Sequence, residues 1–381
     1  MVSRAERTAL ANWWWTIDRW LLAAFLALMA FGLVLAMAGS PPVAERLHLS
    51  TFHFVHRQVV YLVPAIAILI AASFLSPRQV RRTALIVFAI AMALIIAALL
   101  FGAEVKGSRR WIFGVQPSEF LKPALVVLVA WAFSEGGMRR DVPGNMIALI
   151  LLPLSIVPLI LQPDFGQTML IALVWAALFF MAGLHWFWVI GLGGVGIGGI
   201  FLAYKLVPHV RSRIIRFIDP GAGGGIVDTF QIDTALESFL SGGWLGKGPG
   251  EGTVKRILPD SHTDFIFAVT AEEFGIIACL AIVAIFAFIV LYGLLMAARN
   301  EDPFCRFAAA GLVMLFGIQG AINMAVNVHL VPAKGMTLPL LSYGGSSLVS
   351  LALGIGFLIA VMRKRPRSMI LAGVRQQEDA A

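Results

Sequence analysis

The chain places acids and bases at the edges of strongly apolar stretches. The segment Leu258-Pro259-Asp260-Ser261-His262-Thr263-Asp264-Phe265-Ile266-Phe267 opens one such stretch with a carboxylate, Asp264. Two readings follow from the spacing. Ser261 and Asp264 fit a Ser-x-x-Asp helix cap. Alternatively, a helix N-terminus keeps Asp264 ionised, as a general base requires. Upstream, Gln116-Pro117-Ser118-Glu119-Phe120-Leu121-Lys122 sets an acid and a base three residues apart, on one face of a helix. The pair serves either as a self-satisfying ion pair or as the lining of a polar cavity. Just before it, Arg109 and Arg110 offer adjacent guanidinium groups suited to phosphate oxygens. Trp111 beside them suits either a sugar face or the membrane interface.

Further polar groups interrupt the remaining apolar runs. Asp164, in Gln162-Pro163-Asp164-Phe165-Gly166-Gln167, follows a helix-breaking proline and sits where a helix dipole favours negative charge. Gln319, Asn323 and Asn327 recur in steps of four and share one helix face, a pattern that interhelical hydrogen bonding explains. Residues 331–347 hold two prolines and paired glycines, and include Lys334 and Ser342. Irregular backbone near membrane depth survives only where protein or water covers it. This loop is therefore expected to fold over an outer cavity.

The elements that must position these groups are membrane helices. Of 381 residues, 59% are hydrophobic and only 13% charged. Soluble domains are about a quarter charged, so the solvent for most of this chain is lipid. Spanning takes about 20 mostly apolar residues. Ten segments qualify: 20–39, 59–75, 83–102, 117–135, 145–161, 167–184, 187–207, 264–296, 304–328 and 340–362. The first is too long for the core of a signal peptide and reads as an uncleaved span. The seventh is rich in glycine from Gly191 to Gly199, which suggests close helix packing or a hinge. With both termini cytoplasmic, inner segments carry fifteen Lys and Arg and the short outer loops six. The positive-inside rule favours that orientation. The largest loop, about 208–263, is then extracytoplasmic, between helices 7 and 8. Its Arg211, Arg213, Arg216 and glycine-rich stretches suit an anionic ligand.

Composition also excludes. The net charge of +8 follows from basic cytoplasmic segments, and no basic-aromatic module for nucleic acid is present. Cys279 and Cys305 form neither a disulfide framework nor a zinc spacing. From residues alone, an enzyme acting on an anionic lipid-linked substrate, a transporter and a scaffold all remain open.

Six motifs narrow this. GSRRWI at 107–112, QPSEFLK at 116–122, QPDFGQ at 162–167, GKGPGEG at 246–252, LPDSHTDFIFAV at 258–269 and PAKGMTLPLLSYGGSS at 332–347 resemble, in that order, the SEDS family (shape, elongation, division and sporulation). The KGMTLPLLSYGGSS form is closer to the division branch of the family than to its elongation branch. The resemblance runs from about 20 to 365. It implies an all-α integral membrane domain of ten transmembrane helices over 20–365, with a cytoplasmic segment 1–19 and a polar cytoplasmic tail 366–381. It also implies a peptidoglycan glycosyltransferase of the bacterial inner membrane and division septum. Such an enzyme polymerises lipid II onto an undecaprenyl-pyrophosphate-linked glycan, alongside a class B penicillin-binding protein and other division membrane proteins. The essential acid of the family falls on Asp264, its tryptophan on Trp111 and its Glu–Lys pair on Glu119 and Lys122.

On this reading Asp264 is the base. Arg109, Arg110, Trp111, Glu119, Lys122, Asp164, Lys255, His262, Lys334 and Ser342 are the candidate substrate-binding residues. No cofactor is evident, and no cage for a metal is visible, although a divalent cation on the pyrophosphate is compatible with the chemistry. The competing reading is a lipid II flippase, for which the Glu119–Lys122 pair and the glycine-rich seventh helix would speak.

Overall fold

The computed structural model describes residues 8–105, 108–139, 141–183, 186–206, 211, 215, 226–332 and 335–364. In chain order its helices are α1 (Ala9–Thr16), α2 (Arg19–Arg46), α3 (His53–Ser73), α4 (Pro77–Phe101), α5 (Pro117–Met138), α6 (Gly144–Leu161), α7 (Phe165–Met181), α8 (Trp186–Leu206), α9 (Ile226–Gly242), α10 (Ile266–Ala298), α11 (Pro303–Asn327) and α12 (Gly345–Met362). Each of the ten predicted apolar segments falls on a helix. Among the described residues, α2 to α6 and α10 to α12 are eight helices long and apolar enough to cross a membrane.

Local signals set several boundaries. Asp18 accepts hydrogen bonds from the main-chain N–H groups of Trp20 and Leu21 and so opens α2. Ser76 and Gln79 form a reciprocal capping box ahead of Pro77 at the start of α4. Short α1 is tied down by Trp13, whose Nε1 donates to Ser73 Oγ at 2.7 Å and whose ring stacks on Phe74.

Burial separates a centre from a periphery. Within their spans 72% of residues are buried in α5 and α12 and 67% in α11, against 22% in α3 and α6 and 28% in α4 and α10. The central helices carry the polar groups singled out above. The outer ones turn apolar side chains such as Ile86, Ile90, Ile150 and Leu154 outward, as lipid-facing helices must.

Both described chain ends lie on one face. Arg363 Nε donates to Thr16 Oγ1 at 3.0 Å, and Lys364 N to Thr16 O at 3.1 Å. Asn300 Nδ2, just past α10, reaches Val361 O near the end of α12 at 3.3 Å. The starts of α10 and α12 therefore lie at the opposite face, and with them the segments 258–265 and 335–344.

Several expectations need correction. The segment 226–242, read as part of the large outer loop, is helix α9; Phe239 packs on Phe267 of α10. A two-stranded antiparallel hairpin, β1 (Ala103–Val105) and β2 (Ser108–Trp111), adds strand to a chain expected to be all helical. The span expected from 340 starts at Gly345. The glycines of α8 were expected to allow close packing or a hinge; among the described residues, a Cβ on Gly191, Gly193, Gly194, Gly196, Gly198 or Gly199 would meet no atom within 4 Å. Their face is open.

The span expected at 264–296 begins at Ile266 and is broken at Gly275, whose φ of 78° suits glycine. Residues 243–248 take up the main-chain groups freed there. Lys247 and Gly248 N–H donate to the carbonyls of Glu272 and Glu273, and Ile276 and Ile277 N–H donate to those of Gly243 and Trp244. Protein thus satisfies the irregular backbone, as a non-aqueous setting demands.

Candidate active site

Asp264 lies in a tight turn. Thr263 and Asp264 N–H both donate to Asp260 O at 3.1 Å, and α10 starts two residues later. The residue flanking α10 is Phe265, with no side-chain cap of its own, so Asp264 does not cap the helix and the capping-box reading fails. The Asp264 side chain is partly exposed.

The main chain of that turn is held from two sides. From α11, Asn323 Nδ2 donates to Asp264 O at 2.9 Å and Asn327 Nδ2 to the same oxygen at 3.0 Å. From the 335–344 segment, Tyr343 N donates to His262 O at 3.0 Å and Ser342 Oγ to Thr263 O at 2.5 Å. Ser342 also accepts from Leu338 N, which closes its own loop. The loop passes beside the carboxylate: a Cβ on Gly335 would lie 3.6 Å from Asp264 Oδ2. Closer still is its approach to α2, where a side chain on Gly32 would strike Leu340 O. The His262 ring sits 4.5 Å from Phe54 and 5.5 Å from Tyr343, forming an aromatic wall. Burial pushes the Tyr343 phenol above its usual range, against the opposing pull of Arg57.

A second group gathers below the hairpin. Arg110 donates through Nε to Gln162 O at 3.1 Å and through Nη2 to Pro163 O at 2.5 Å, with Nη1 3.7 Å from Asp164 Oδ1. Asp164 accepts from Gln167 N at the start of α7, so its helix-terminal reading holds. Burial raises its pKa, and the Arg110 charge opposes that shift. Arg109 is exposed, 3.9 Å from Glu104, and Trp111 is exposed beside it.

A third group is enclosed. Lys122 Nζ lies 2.9 Å from Glu119 Oε2 and 3.0 Å from Gln319 Oε1, and Gln167 Nε2 donates to Glu119 Oε1 at 2.7 Å. Ser350 Oγ of α12 donates to Glu119 O at 2.6 Å. Gln319 Nε2 in turn reaches Thr337 O at 3.2 Å, and Gln116 N donates to Ser346 Oγ at 3.1 Å. Gln167 joins the second group to the third, and Gln319 joins the third to the loop over Asp264.

Lys255 belongs elsewhere. Its ammonium is buried, paired with Glu273 and bonded to Ala38 O. Glu272, fully buried, accepts from the main-chain N–H groups of Thr253, Val254 and Lys255 at 2.6 to 2.8 Å. These two acids anchor the 252–256 turn. Lys334 lies outside the described residues. Among the described residues, no group of three or more His, Cys, Asp and Glu is placed to hold a metal ion. Sequence reasoning missed Phe54 and Arg57, which no spacing marks, and did not single out Tyr343 within the 332–347 motif. It also missed that the asparagine stripe reaches Asp264.

The family described as cell cycle protein, comprising FtsW, RodA and SpoVE, matches residues 19–367. The "Probable peptidoglycan glycosyltransferase FtsW" of Caulobacter vibrioides is 45% identical over 369 residues, 96% of this chain and 94% of its own. A protein of the same name from Geobacter sulfurreducens is 34% identical over 354 residues, 90% and 94% of the two chains. Among solved structures, a chain of a peptidoglycan synthase complex that coordinates polymerization and crosslinking superposes with a TM-score of 0.76. It is 25% identical and covers 92% of this chain and 99% of its own.

Proposed function

Because this chain belongs to the cell cycle protein family of FtsW, RodA and SpoVE, we propose that it is the peptidoglycan glycosyltransferase that polymerises lipid II during cell division, with Asp264 as its general base. The observation that carries this reading is the placement of Asp264. It sits in a turn pinned by main-chain contacts from α11 and from the 335–344 segment, with its carboxylate beside a glycine-lined loop. Fixing the backbone of an acid that stays partly exposed is what positioning a base requires.

Ten crossings, α2 to α8 and α10 to α12, fit the chain into the inner membrane. An even number is supported by the contact of the two described chain ends at Thr16. Fifteen Lys and Arg in the segments on that side make it the cytoplasmic one, so Asp264 faces outward.

In the reaction, Asp264 takes the proton of the GlcNAc 4-hydroxyl of incoming lipid II. That oxygen bonds to the anomeric carbon of the growing glycan from the opposite face, and the bond from carbon to pyrophosphate breaks. Undecaprenyl pyrophosphate departs with the electron pair, so configuration inverts. Arg109, exposed on the hairpin, and Arg110 beside it are the cations offered to the leaving pyrophosphate. Lys255 is occupied by Glu273, and its part is to hold the turn. A divalent cation would arrive with the pyrophosphate itself. A class B penicillin-binding protein is the expected partner, with other division membrane proteins at the septum.

The flippase reading needs a polar path across the bilayer. Glu119 and Lys122 are closed off by Gln167 and Gln319 instead. The discriminating experiment supplies lipid II to the purified chain in complex with its transpeptidase partner, the partner's active-site serine blocked. Glycan ladders are expected. Lipid II translocation in vesicles without any glycan would replace this reading with transport.

A further inference from the structure

A helix that ran through 264–268 would bond Asp264 C=O to Ala268 N–H, the ordinary i to i+4 step. The structure instead places the Asn327 carboxamide between those two groups. Its Nδ2 donates to Asp264 O at 3.0 Å, and its Oδ1 accepts from Ala268 N at 3.1 Å. Ala268 N–H is one of the first-turn donors that a helix cannot satisfy internally, and α10 has no cap of its own. Asn327 thus supplies from α11 the cap that α10 lacks, and in doing so keeps Asp264 out of the helix.

Asn323, one turn earlier on the same face, completes the arrangement. The two protons on its Nδ2 go to Asp264 O at 2.9 Å and to Met336 O at 2.6 Å. Asn327 Nδ2 also reaches the main-chain carbonyl of Asn323, one turn back in α11, at 2.9 Å. Both asparagines are buried, so water does not compete for these bonds. The acid-bearing turn and the loop beside its carboxylate are thereby referred to a single element, α11. Swapping O and N on either amide would set oxygen against carbonyl oxygen, so the bonding pattern fixes both orientations.

We propose that Asn323 and Asn327 are positioning residues for the glycosyl transfer. They hold the Asp264 main chain just short of the helix so that its carboxylate faces the 335–344 loop. The inference rests on the reading of Asp264 as the base. Loss of the clamp lets Asp264 C=O and Ala268 N–H bond directly, α10 draws Asp264 in as its flanking residue, and the carboxylate swings away. A displacement of about 1 Å costs on the order of 100-fold in rate.

The test measures lipid II polymerisation by the reconstituted complex, per folded complex, for wild type, Asp264→Asn, Asn323→Ala, Asn327→Ala and Asn327→Asp. Both alanine variants are expected to lose about 10- to 100-fold in kcat, with KM for lipid II within about twofold. Asn327→Asp separates positioning from capping, since it keeps an oxygen for Ala268 N–H but loses the donor to Asp264 O. A purely structural cap predicts wild-type turnover for Asn327→Asp; the clamp predicts a loss as large as that of Asn327→Ala. Asn323→Ala leaves the Asn327 oxygen on Ala268 N–H, so it serves where an Asn327 variant does not fold. Wild-type kcat in Asn323→Ala and Asn327→Asp, alongside an inactive Asp264→Asn, would overturn the clamp alone. Full activity of Asp264→Asn would overturn the base assignment beneath it.

Discussion

Lys122 Nζ stands 2.9 Å from Glu119 Oε2 inside the central helices, with both side chains almost wholly inaccessible. Two charges so enclosed are tolerable only together, and Gln167 and Gln319 each add one hydrogen bond to the pair. Lys122→Met should therefore lower stability by about 3–5 kcal/mol, because it strands a buried carboxylate. Adding Glu119→Leu should restore much of that loss. Thermal unfolding of the single and double variants in detergent checks the coupling; additive losses would count against an isolated pair.

Asp164 makes stability depend on pH. Burial raises its folded pKa above the ordinary 3.8, with Arg110 opposing. A raised folded pKa means the folded state binds more protons than the unfolded one between the two values. The contribution is complete below pH 3.8 and is lost as pH rises through the folded value. Asn is as good a helix cap as Asp. Asp164→Asn should thus melt higher than wild type near pH 7, and the gap should close on acidification. A gap that widens toward acid would reverse the sign.

Gly275 sets the break in α10. At its φ of 78° a Cβ would meet the Trp244 carbonyl, where residues 243–248 bond to the freed helix backbone. Gly275→Ala is expected to cost more than about 1 kcal/mol. It should also speed proteolysis within 243–258 relative to the remaining loops. Unchanged cleavage there would show that the break does not hold this segment.

Much of this was legible in the residues. Apolar stretches about 20 residues long announce membrane helices whatever packs against them, and the Glu119–Lys122 spacing alone puts those charges within reach. Tertiary partners were not legible. Lys255 reads as a free outer cation until the fold seats it on Glu273. Ser261 and Asp264 carry the letters of a capping box, yet α10 takes its cap from Asn327, 59 residues away. Helix α9 was hidden because Asp228, Asp233 and Glu237 interrupt the apolar length that marks a span. The stripe of Gln319, Asn323 and Asn327 was visible, but apart from Lys122 its targets are main-chain groups, which carry no sequence signature.

The central claim is that Asp264 takes the proton in glycosyl transfer. The most direct measurement is the initial rate of glycan formation from lipid II by the wild-type and Asp264→Asn chains. Each is reconstituted with its transpeptidase partner and matched for folded complex and for lipid II bound. The amide keeps the shape and leaves the main-chain contacts of Asn323, Asn327 and Ser342 in place. A rate reduced by at least about 100-fold at unchanged lipid II binding is the expected result. A rate within about twofold of wild type would contradict it, since an amide cannot accept the proton that a carboxylate base removes.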